Sequence, residues 1–523
     1  MLVRLRYTKP RTRENAAVLT LGEVLERNAR RHADRVAIID ETTSRTHREL
    51  ATRAWGLAEG LRREGVGAGD RVGVLAQNGA FGAECVMAAA AIGAIAVMYN
   101  WRWATPELVF ALNQSRPAVV LVDGHHRADL DAALATGDVG PTFAVVDERS
   151  DYASLLVAGA GPPALAVDPS APAVMLYTGG TTGFPKGVLL SHANVMANAF
   201  NEIVDTDMRD DDRTLCIAPM FHSASLLCWF MPHMVLGASA VLVRSFDERE
   251  VARTIADTGV TNGFLVPNMV RRMLHAGALE DCASTRLRRI YVGGAAFLME
   301  DKRAVAAAVP GVSLYYQYGL TEAGPIVTRL RPEDMFRPEL DGSIGREFLL
   351  CSVEVREPDG TPSPAGEPGE IHVKGPNVML GYFEDPDATA DVLSDGWLRT
   401  GDVAARDAEG YLFFRDRTKD MIKTGGENVH SAEVEHVLYT HPAVAEAAVL
   451  GVPSTAWDEE VCAVVAVKPG ADVTIDALRE HCRAQLAGYK VPKRMVLVGL
   501  DDMPISQTGK VLKRDLAERQ LFA

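Results

Sequence analysis

The stretch Tyr177-Thr-Gly-Gly-Thr-Thr-Gly-Phe-Pro-Lys-Gly187 constrains this chain more than any other. Apolar residues, Ala173-Val-Met-Leu-Tyr177, run directly into it. The loop therefore leaves the end of a buried strand, where a glycine-rich turn presents backbone N–H groups and hydroxyls to an anion. A polyphosphate cradle fits that description. A P-loop does not, because it needs Gly before the Lys and Ser or Thr after it, whereas Pro185 precedes Lys186 and Gly187 follows. A plain Gly/Thr surface turn would account for the first six residues alone. The Thr-Thr-Gly-x-Pro-Lys-Gly string weighs against that.

With 523 residues, 47% of them hydrophobic, the chain is long enough for several domains with substantial cores. A net charge of -15 argues against a nucleic-acid partner, which requires a clustered positive field. The basic start, Arg4 to Arg13, has no apolar core of a signal peptide behind it and reads as a frayed terminus. The longest apolar run, Val86 to Met98, is too short to span a bilayer and is expected to be a buried helix passing into a strand, so no transmembrane segment is expected. Seven cysteines lie scattered without CxxC pairs or metal-ligand spacing. They are expected to be reduced, mostly buried thiols of a cytoplasmic protein.

Taken in order, Leu21 to Val122 alternates helical periodicity with short β-rich runs, which favours a mainly parallel sheet covered by helices. Past the glycine-rich loop, His192 to Asn201 reads as a helix and the acidic segment Asp205 to Arg213 as a solvated surface turn. A second strand and helix alternation follows, ending in Ile290-Tyr-Val-Gly-Gly294 and Leu314-Tyr-Tyr-Gln-Tyr-Gly-Leu-Thr-Glu322. Loops at strand ends in two such layers make a natural nucleotide crevice. From Ile344 to Phe414, short β runs with Pro-Gly and Asp-Gly punctuation predict a small β subdomain. The charged connection Asp416 to Asp420 marks a domain boundary, beyond which a compact α+β domain of about a hundred residues is expected.

With these pieces placed, the sequence resembles the adenylate-forming superfamily, in its acyl-CoA synthetase or acyl-CoA ligase branch. The motifs that carry this are Thr178 to Gly187, Tyr318-Gly-Leu-Thr-Glu322, Thr400-Gly-Asp402, Asp416-Arg417 with Lys419, Gly425-Gly-Glu-Asn428 and Pro504 to Lys510, in that order. The resemblance implies an α/β fold: a large N-terminal ATP- and acyl-binding domain, residues 1–416, made of two α/β layered subdomains plus the small β subdomain. A small mobile α+β C-terminal domain, residues 417–523, follows a hinge near Lys419. It implies an ATP-dependent acyl-CoA ligase: carboxylate and ATP give acyl-AMP and pyrophosphate, then CoA gives acyl-CoA and AMP.

The implied roles can be weighed against that chemistry. Both reactants of the first step are anions, so donors and cations must converge on the α-phosphate. By resemblance, Thr178, Gly179, Gly180, Thr181, Thr182, Gly183 and Lys186 surround the phosphates, Thr321 offers its hydroxyl to one, and Glu322 holds Mg²⁺ with phosphate and water completing the shell. Gly294, Ala295, Tyr316, Gln317, Tyr318 and Gly319 form the adenine site, with Tyr318 stacked on the base. Asp402, joined by Arg417, accepts from the ribose hydroxyls. Lys510 bridges the substrate carboxylate and the α-phosphate. Lys423, Gly425 and Gly426 serve CoA in the second half-reaction. Lys510 and the Gly425-Gly426 loop share one small domain yet cannot both face one site, which gives the hinge its purpose.

For the acyl group, resemblance places His222 near the carboxylate end, followed by the small, apolar Ser223-Ala224 stretch. No arginine stands ready for a second carboxylate, so a largely apolar monocarboxylic acid is expected. Gln317, where many relatives have Gly, either shortens the tunnel or bonds a polar substituent. A medium-chain or ring-bearing aliphatic acid and an aryl or cinnamate-type acid stand equal on this reading. Gly179, where the family commonly has Ser, removes one phosphate hydroxyl. Two other functions stay open: a stand-alone adenylation enzyme that loads a carrier-protein phosphopantetheine, and a non-catalytic nucleotide-binding regulator. The regulator is disfavoured by the presence of Lys510, Glu322 and Asp402 together. The expected partners are thus the acid, ATP and CoA, and a homodimer is compatible with the sequence.

Overall fold

A computed structural model describes residues 20–140, 143–178, 185–417, 420–424, 427–454, 457–468, 470–505, 511–519 and 521–522. Its first sheet has seven strands. Five of them, Arg71–Leu75, Ile95–Met98, Val119–Val122, Ala144–Asp147 and Pro172–Thr178, run parallel. The three central ones are buried on both faces almost throughout, the pattern of a covered parallel sheet. Lys186–Ser191 and then Gly381–Tyr382 extend one edge antiparallel.

The second sheet has fourteen strands. A parallel block, Val36–Ile39, Ser239–Leu242, Arg213–Cys216, Asn262–Leu265, Arg289–Gly293 and Ser313–Gly319, continues through antiparallel strands Ile326–Leu330 and Ser343–Glu347. Between the sheets the helix Ala80–Ala91 is buried at each of its positions. A helix apolar nearly all round has no face to give to water, and here one core runs across it from Val72 and Val174 of the first sheet to Leu242 and Tyr291 of the second. The apolar run from Val86 thus passes from buried helix into the strand Ile95–Met98, as expected.

The parallel sheet expected between Leu21 and Val122 holds for Arg71–Leu75, Ile95–Met98 and Val119–Val122, while the strand Val36–Ile39 pairs with Ser239–Leu242 and joins the second sheet. The β-rich region from Ile344 continues that second sheet, since Ser343–Glu347 pairs with both Ile326–Leu330 and Leu412–Arg417.

The acidic segment is only partly a solvated turn. Asp205 and Asp212 are buried. Asp205 accepts from Arg329 at 2.5 Å, from Arg331 at 3.1 Å and from Leu349 N at 2.7 Å. Asp212 accepts from Thr261 and Arg288 at 2.7 Å each and also pairs with Arg289. Burial pushes the Asp212 carboxyl up, but the Thr261 hydroxyl and the Arg289 charge hold it below the usual range. Partners lying 49 to 77 residues downstream cannot be read from a local charge run.

Removing one partner of such a pair strands the other charge in a low-dielectric site. Asp205→Ala is expected to destabilise the large domain by about 3–5 kcal/mol, read as a lowered midpoint of its urea transition, with Asp205→Asn milder. A shift below about 1 kcal/mol would class the cluster with exposed ion pairs.

The third sheet is separate and smaller: Glu427–Val429, Ile422–Thr424, Asp458–Val467 and Val444–Ser454, with Arg494–Val498 added parallel. The helices Ser431–Tyr439 and Ile475–Arg483 close a core of their own around Val449, Val461, Val465 and Leu478. All seven cysteines are unpaired and buried.

Candidate active site

Parallel strands open a crevice at their carboxyl ends. Thr178 ends the strand Pro172–Thr178, Gly293 ends Arg289–Gly293 and Gly319 ends Ser313–Gly319. Thr178 and Lys186 stand opposite each other in antiparallel register, so the glycine-rich loop joins two paired strand ends. Gly179, Gly180, Thr181, Thr182 and Gly183 lie outside the described residues, as do Lys419, Gly425, Gly426 and Lys510.

Beyond Gly319 the chain turns back at Gly324, held left-handed at φ 87°, and Leu320 N donates to Pro325 O at 2.9 Å. A Cβ at Gly319 would stand 2.1 Å from that Pro325 oxygen, so only glycine fits. The turn presents Thr321 and Glu322. Glu322 Oε1 accepts from Tyr382 at 3.0 Å and from Thr178 at 3.4 Å. Lys186 Nζ stands 4.8 Å over the Tyr382 ring. Tyr382 thus links the cation of the glycine-rich loop to the carboxylate of the second sheet. Sequence reasoning missed it, because a strand of two residues, Gly381–Tyr382, leaves no periodic signal. Burial and the Glu322 charge both push its phenol pKa up, so it stays a donor.

On the other side, Tyr318 OH donates to Asp402 Oδ2 at 2.6 Å, and Arg417 Nε lies 3.4 Å from Asp402 Oδ1. Asp402 and Arg417 are direct partners of one hairpin, which explains why two motifs distant in sequence meet. Gly294 takes φ 86°, and the Ala295 carbonyl accepts from Tyr316 OH at 2.8 Å. A cavity of about 290 Å³ opens beside these groups, bounded by Leu320, Glu322, Tyr382, Thr400 and Gly401.

Thr321 Oγ1 lies 2.9 Å from Ser223 Oγ, which brings the turn against the segment carrying His222 and Ala224. His222 packs on Phe221 with ring centroids 4.5 Å apart. From Ala224 to Phe230 the backbone is a π-helix, with Met231 N reaching Leu226 O. Gln317 does not share the surroundings of Tyr316 and Tyr318. Strand alternation turns its side chain to the opposite face, where it is buried and donates to Glu202 Oε2 at 2.9 Å. Lys423 is exposed, and its N–H donates to Glu459 at 2.7 Å. Asp416, expected in a charged connection, is buried and accepts from the Ser431 hydroxyl at 3.1 Å.

An anionic ligand meets here a lysine, hydroxyls and one carboxylate able to share a cation, next to an acceptor-only Asp–Arg pair fit for a sugar diol. That combination, at the strand ends of two α/β layers, suits a nucleotide. The chain belongs to the AMP-binding enzyme family: the family's main model matches residues 25–383 and the model of its C-terminal domain residues 433–510.

A feruloyl-CoA synthase from Amycolatopsis sp is 38% identical over 95% of this chain and 99% of its own length. An indoleacetate–CoA ligase from Aromatoleum aromaticum is 35% identical over 97% and 98%. Among solved structures, the o-succinylbenzoate CoA synthetase of Bacillus subtilis in complex with its acyl-adenylate intermediate superposes with a TM-score of 0.82 at 30% identity, covering 94% of this chain and 97% of that one. The chain is accordingly an AMP-forming acid–thiol ligase that takes ATP and CoA. Among the described residues no helix is long and apolar enough to cross a membrane.

Proposed function

We propose that the acid is an aromatic monocarboxylate of the arylpropenoic or arylacetic type, activated on this site and passed to CoA. The observation that supports activation at this site is the meeting of Thr178, Lys186, Tyr382 and Glu322 at one strand-end crevice, beside the Ser223 segment that touches Thr321. The aryl preference is supported by relatives named for ferulate and indoleacetate.

In this reading Thr178 and Lys186, with Gly179 to Gly183, bind the β- and γ-phosphates, and the Thr321 hydroxyl orients the α-phosphate. Asp402 and Arg417 hold the ribose; Gly294, Ala295, Tyr316, Tyr318 and Gly319 bound the adenine. Among the described residues no cluster of three or more acidic, His or Cys side chains could cage a metal. One carboxylate flanked by hydroxyls nevertheless suits Mg²⁺, which keeps phosphate and water ligands, so Glu322 would hold it. The ion would neutralise charge on the leaving pyrophosphate. His222 and Ala224 line the carboxylate end of the acyl site. Lys510 supplies the cation at the α-phosphate, and residues 417–523 turn about Lys419 to bring Lys423, Gly425 and Gly426 to the acyl-adenylate for thiol attack.

ATP/pyrophosphate exchange over a panel of acids tests the proposal. Arylpropenoates and arylacetates are expected to exchange at least about 10-fold faster than medium-chain aliphatic acids, since a lost ring contact costs about 1–3 kcal/mol. Faster exchange with the aliphatic series would overturn the aryl assignment. Thioester formation with free CoA, and none with a carrier protein, separates this enzyme from a carrier-loading one.

A further inference from the structure

Arg271, on the helix Pro267–His275 of the large domain, meets the C-terminal domain. Within its own domain it donates to Asp301 Oδ2 on the helix Met299–Ala308, from Nε at 3.0 Å and from a terminal nitrogen at 2.9 Å. Across the boundary its guanidinium lies 5.7 Å from the ring centroid of Tyr439, the last residue of the helix Ser431–Tyr439. The Tyr439 hydroxyl donates in turn to Glu446 Oε1, on the strand Val444–Ser454. A cation of one domain thus faces a ring of the other and lies within electrostatic reach of its carboxylate.

Glu446 shows why a cation is placed there. The residue is 6% exposed, and burial pushes its carboxyl up to about 7, with the charges of Glu435 and Asp301 pushing the same way. Arg271 is the cation that draws it back down. Asp301 belongs to the large domain and Glu446 to the small one, so Arg271 offsets the repulsion between two carboxylates on opposite sides of the boundary. A turn of the C-terminal domain about Lys419 parts Arg271 from Tyr439 and Glu446, so the arrangement belongs to one orientation only.

The contact also reaches the nucleotide end of the site. A terminal nitrogen of Arg271 lies 3.5 Å from the Ala296 carbonyl, directly after Ala295, whose own carbonyl accepts from Tyr316 OH. We infer that Arg271 is a positioning residue for the ligase reaction: it latches the C-terminal domain in the orientation this structure holds, by clasping Tyr439 and Glu446, and releases them when the domain turns. This rests on the proposed turn about Lys419 and goes beyond it by naming the group that holds one of the two orientations. Arg271 acts on the populations of the two orientations and leaves the chemistry of each step alone.

The test measures the two half-reactions apart: ATP/pyrophosphate exchange for the first, and acyl-CoA formation from supplied acyl-AMP and CoA for the second. Arg271→Met, which keeps an apolar stem and removes the charge, is expected to slow one half-reaction by about 10-fold and to leave the other within about 3-fold of wild type. Tyr439→Leu removes the ring from the other side of the boundary and is expected to slow the same half-reaction. Arg271→Lys keeps a cation over the ring and is expected to stay within about 3-fold of wild type in both. Should Arg271→Met or Tyr439→Leu fail to melt cooperatively, the other, on the opposite domain, gives the reading.

A merely structural role slows both half-reactions alike. Equal slowing of both, or none, in a folded Arg271→Met or Tyr439→Leu variant overturns the latch, and so does slowing of opposite half-reactions by the two. If Lys510→Ala separates the half-reactions and Arg271→Met does not, this inference alone fails; if neither separates them, the two-orientation reading fails with it.

Discussion

Lys510→Ala is expected to abolish adenylation and spare the second half-reaction. In the first step a carboxylate approaches an α-phosphate, and two anions meet at the centre where the pentavalent transition state gathers further charge. A lysine ammonium, compact and strongly hydrated, is the group to offset it once water is excluded. The described site supplies Lys186 near the phosphate-binding hydroxyls and Arg417 beside Asp402, one at each end of the bound nucleotide on the proposed reading. For the middle of it the proposed reading takes Lys510, the residue that the resemblance implies.

Losing a charge that acts only in the transition state costs about 10²- to 10³-fold in rate. ATP/pyrophosphate exchange of the variant should fall by at least that, while acyl-CoA formation from a supplied acyl-AMP and CoA should stay within about 3-fold of wild type. Equal loss in both reactions would remove the basis for two orientations of the C-terminal domain, because one fixed arrangement would then serve both steps.

The parts of this site that were legible in the sequence are those that a strand end must carry on a short loop. Thr178 and Gly294 end or follow largely buried strands, Glu322 sits on the turn after a half-buried one, and the turn chemistry around Gly319 and Gly324 leaves little choice of residue. Asp402 and Arg417 were legible as motifs, but their pairing depends on a hairpin register with a bulge between Val403 and Ala404 that no local pattern encodes.

Tyr382 and Glu202 were not legible. The first sits on a strand of two residues that docks to a sheet edge nearly two hundred positions earlier in the chain. The second is one carboxyl in a helix whose other polar residues, Asn194, Asn198 and Asn201, are also buried, so charge patterning gave no sign of it. Likewise the acidic segment from Asp205 was misread because burial of Asp205 and Asp212 depends on arginines from strands far along the chain. Local sequence sets which groups can ionise or bond. Tertiary packing decides which of them leave water, and there a buried carboxyl must find a cation, a proton or a ligand.

Glu322→Gln is expected to separate the metal function of this carboxylate from its structural one. The amide keeps the shape and can still accept from Tyr382 and Thr178, so the hydrogen bonds at 3.0 and 3.4 Å survive while the negative charge is lost. If Glu322 serves only to tie the sheets together through Tyr382, the glutamine variant should work nearly as well as wild type, and Tyr382→Phe, which deletes that hydrogen bond, should be the worse of the two.

If Glu322 holds Mg²⁺, the order reverses. A cation bound by a single protein carboxylate depends heavily on it. The half-saturating Mg²⁺ concentration for pyrophosphate exchange should then rise by at least about 10-fold in Glu322→Gln, with the rate at fixed millimolar Mg²⁺ falling by about 10²-fold. Tyr382→Phe should cost about 5-fold, the worth of one hydrogen bond, with little change in the Mg²⁺ midpoint. A Mg²⁺ titration of all three proteins decides between these patterns, and an unshifted midpoint in Glu322→Gln would take the metal away from this residue.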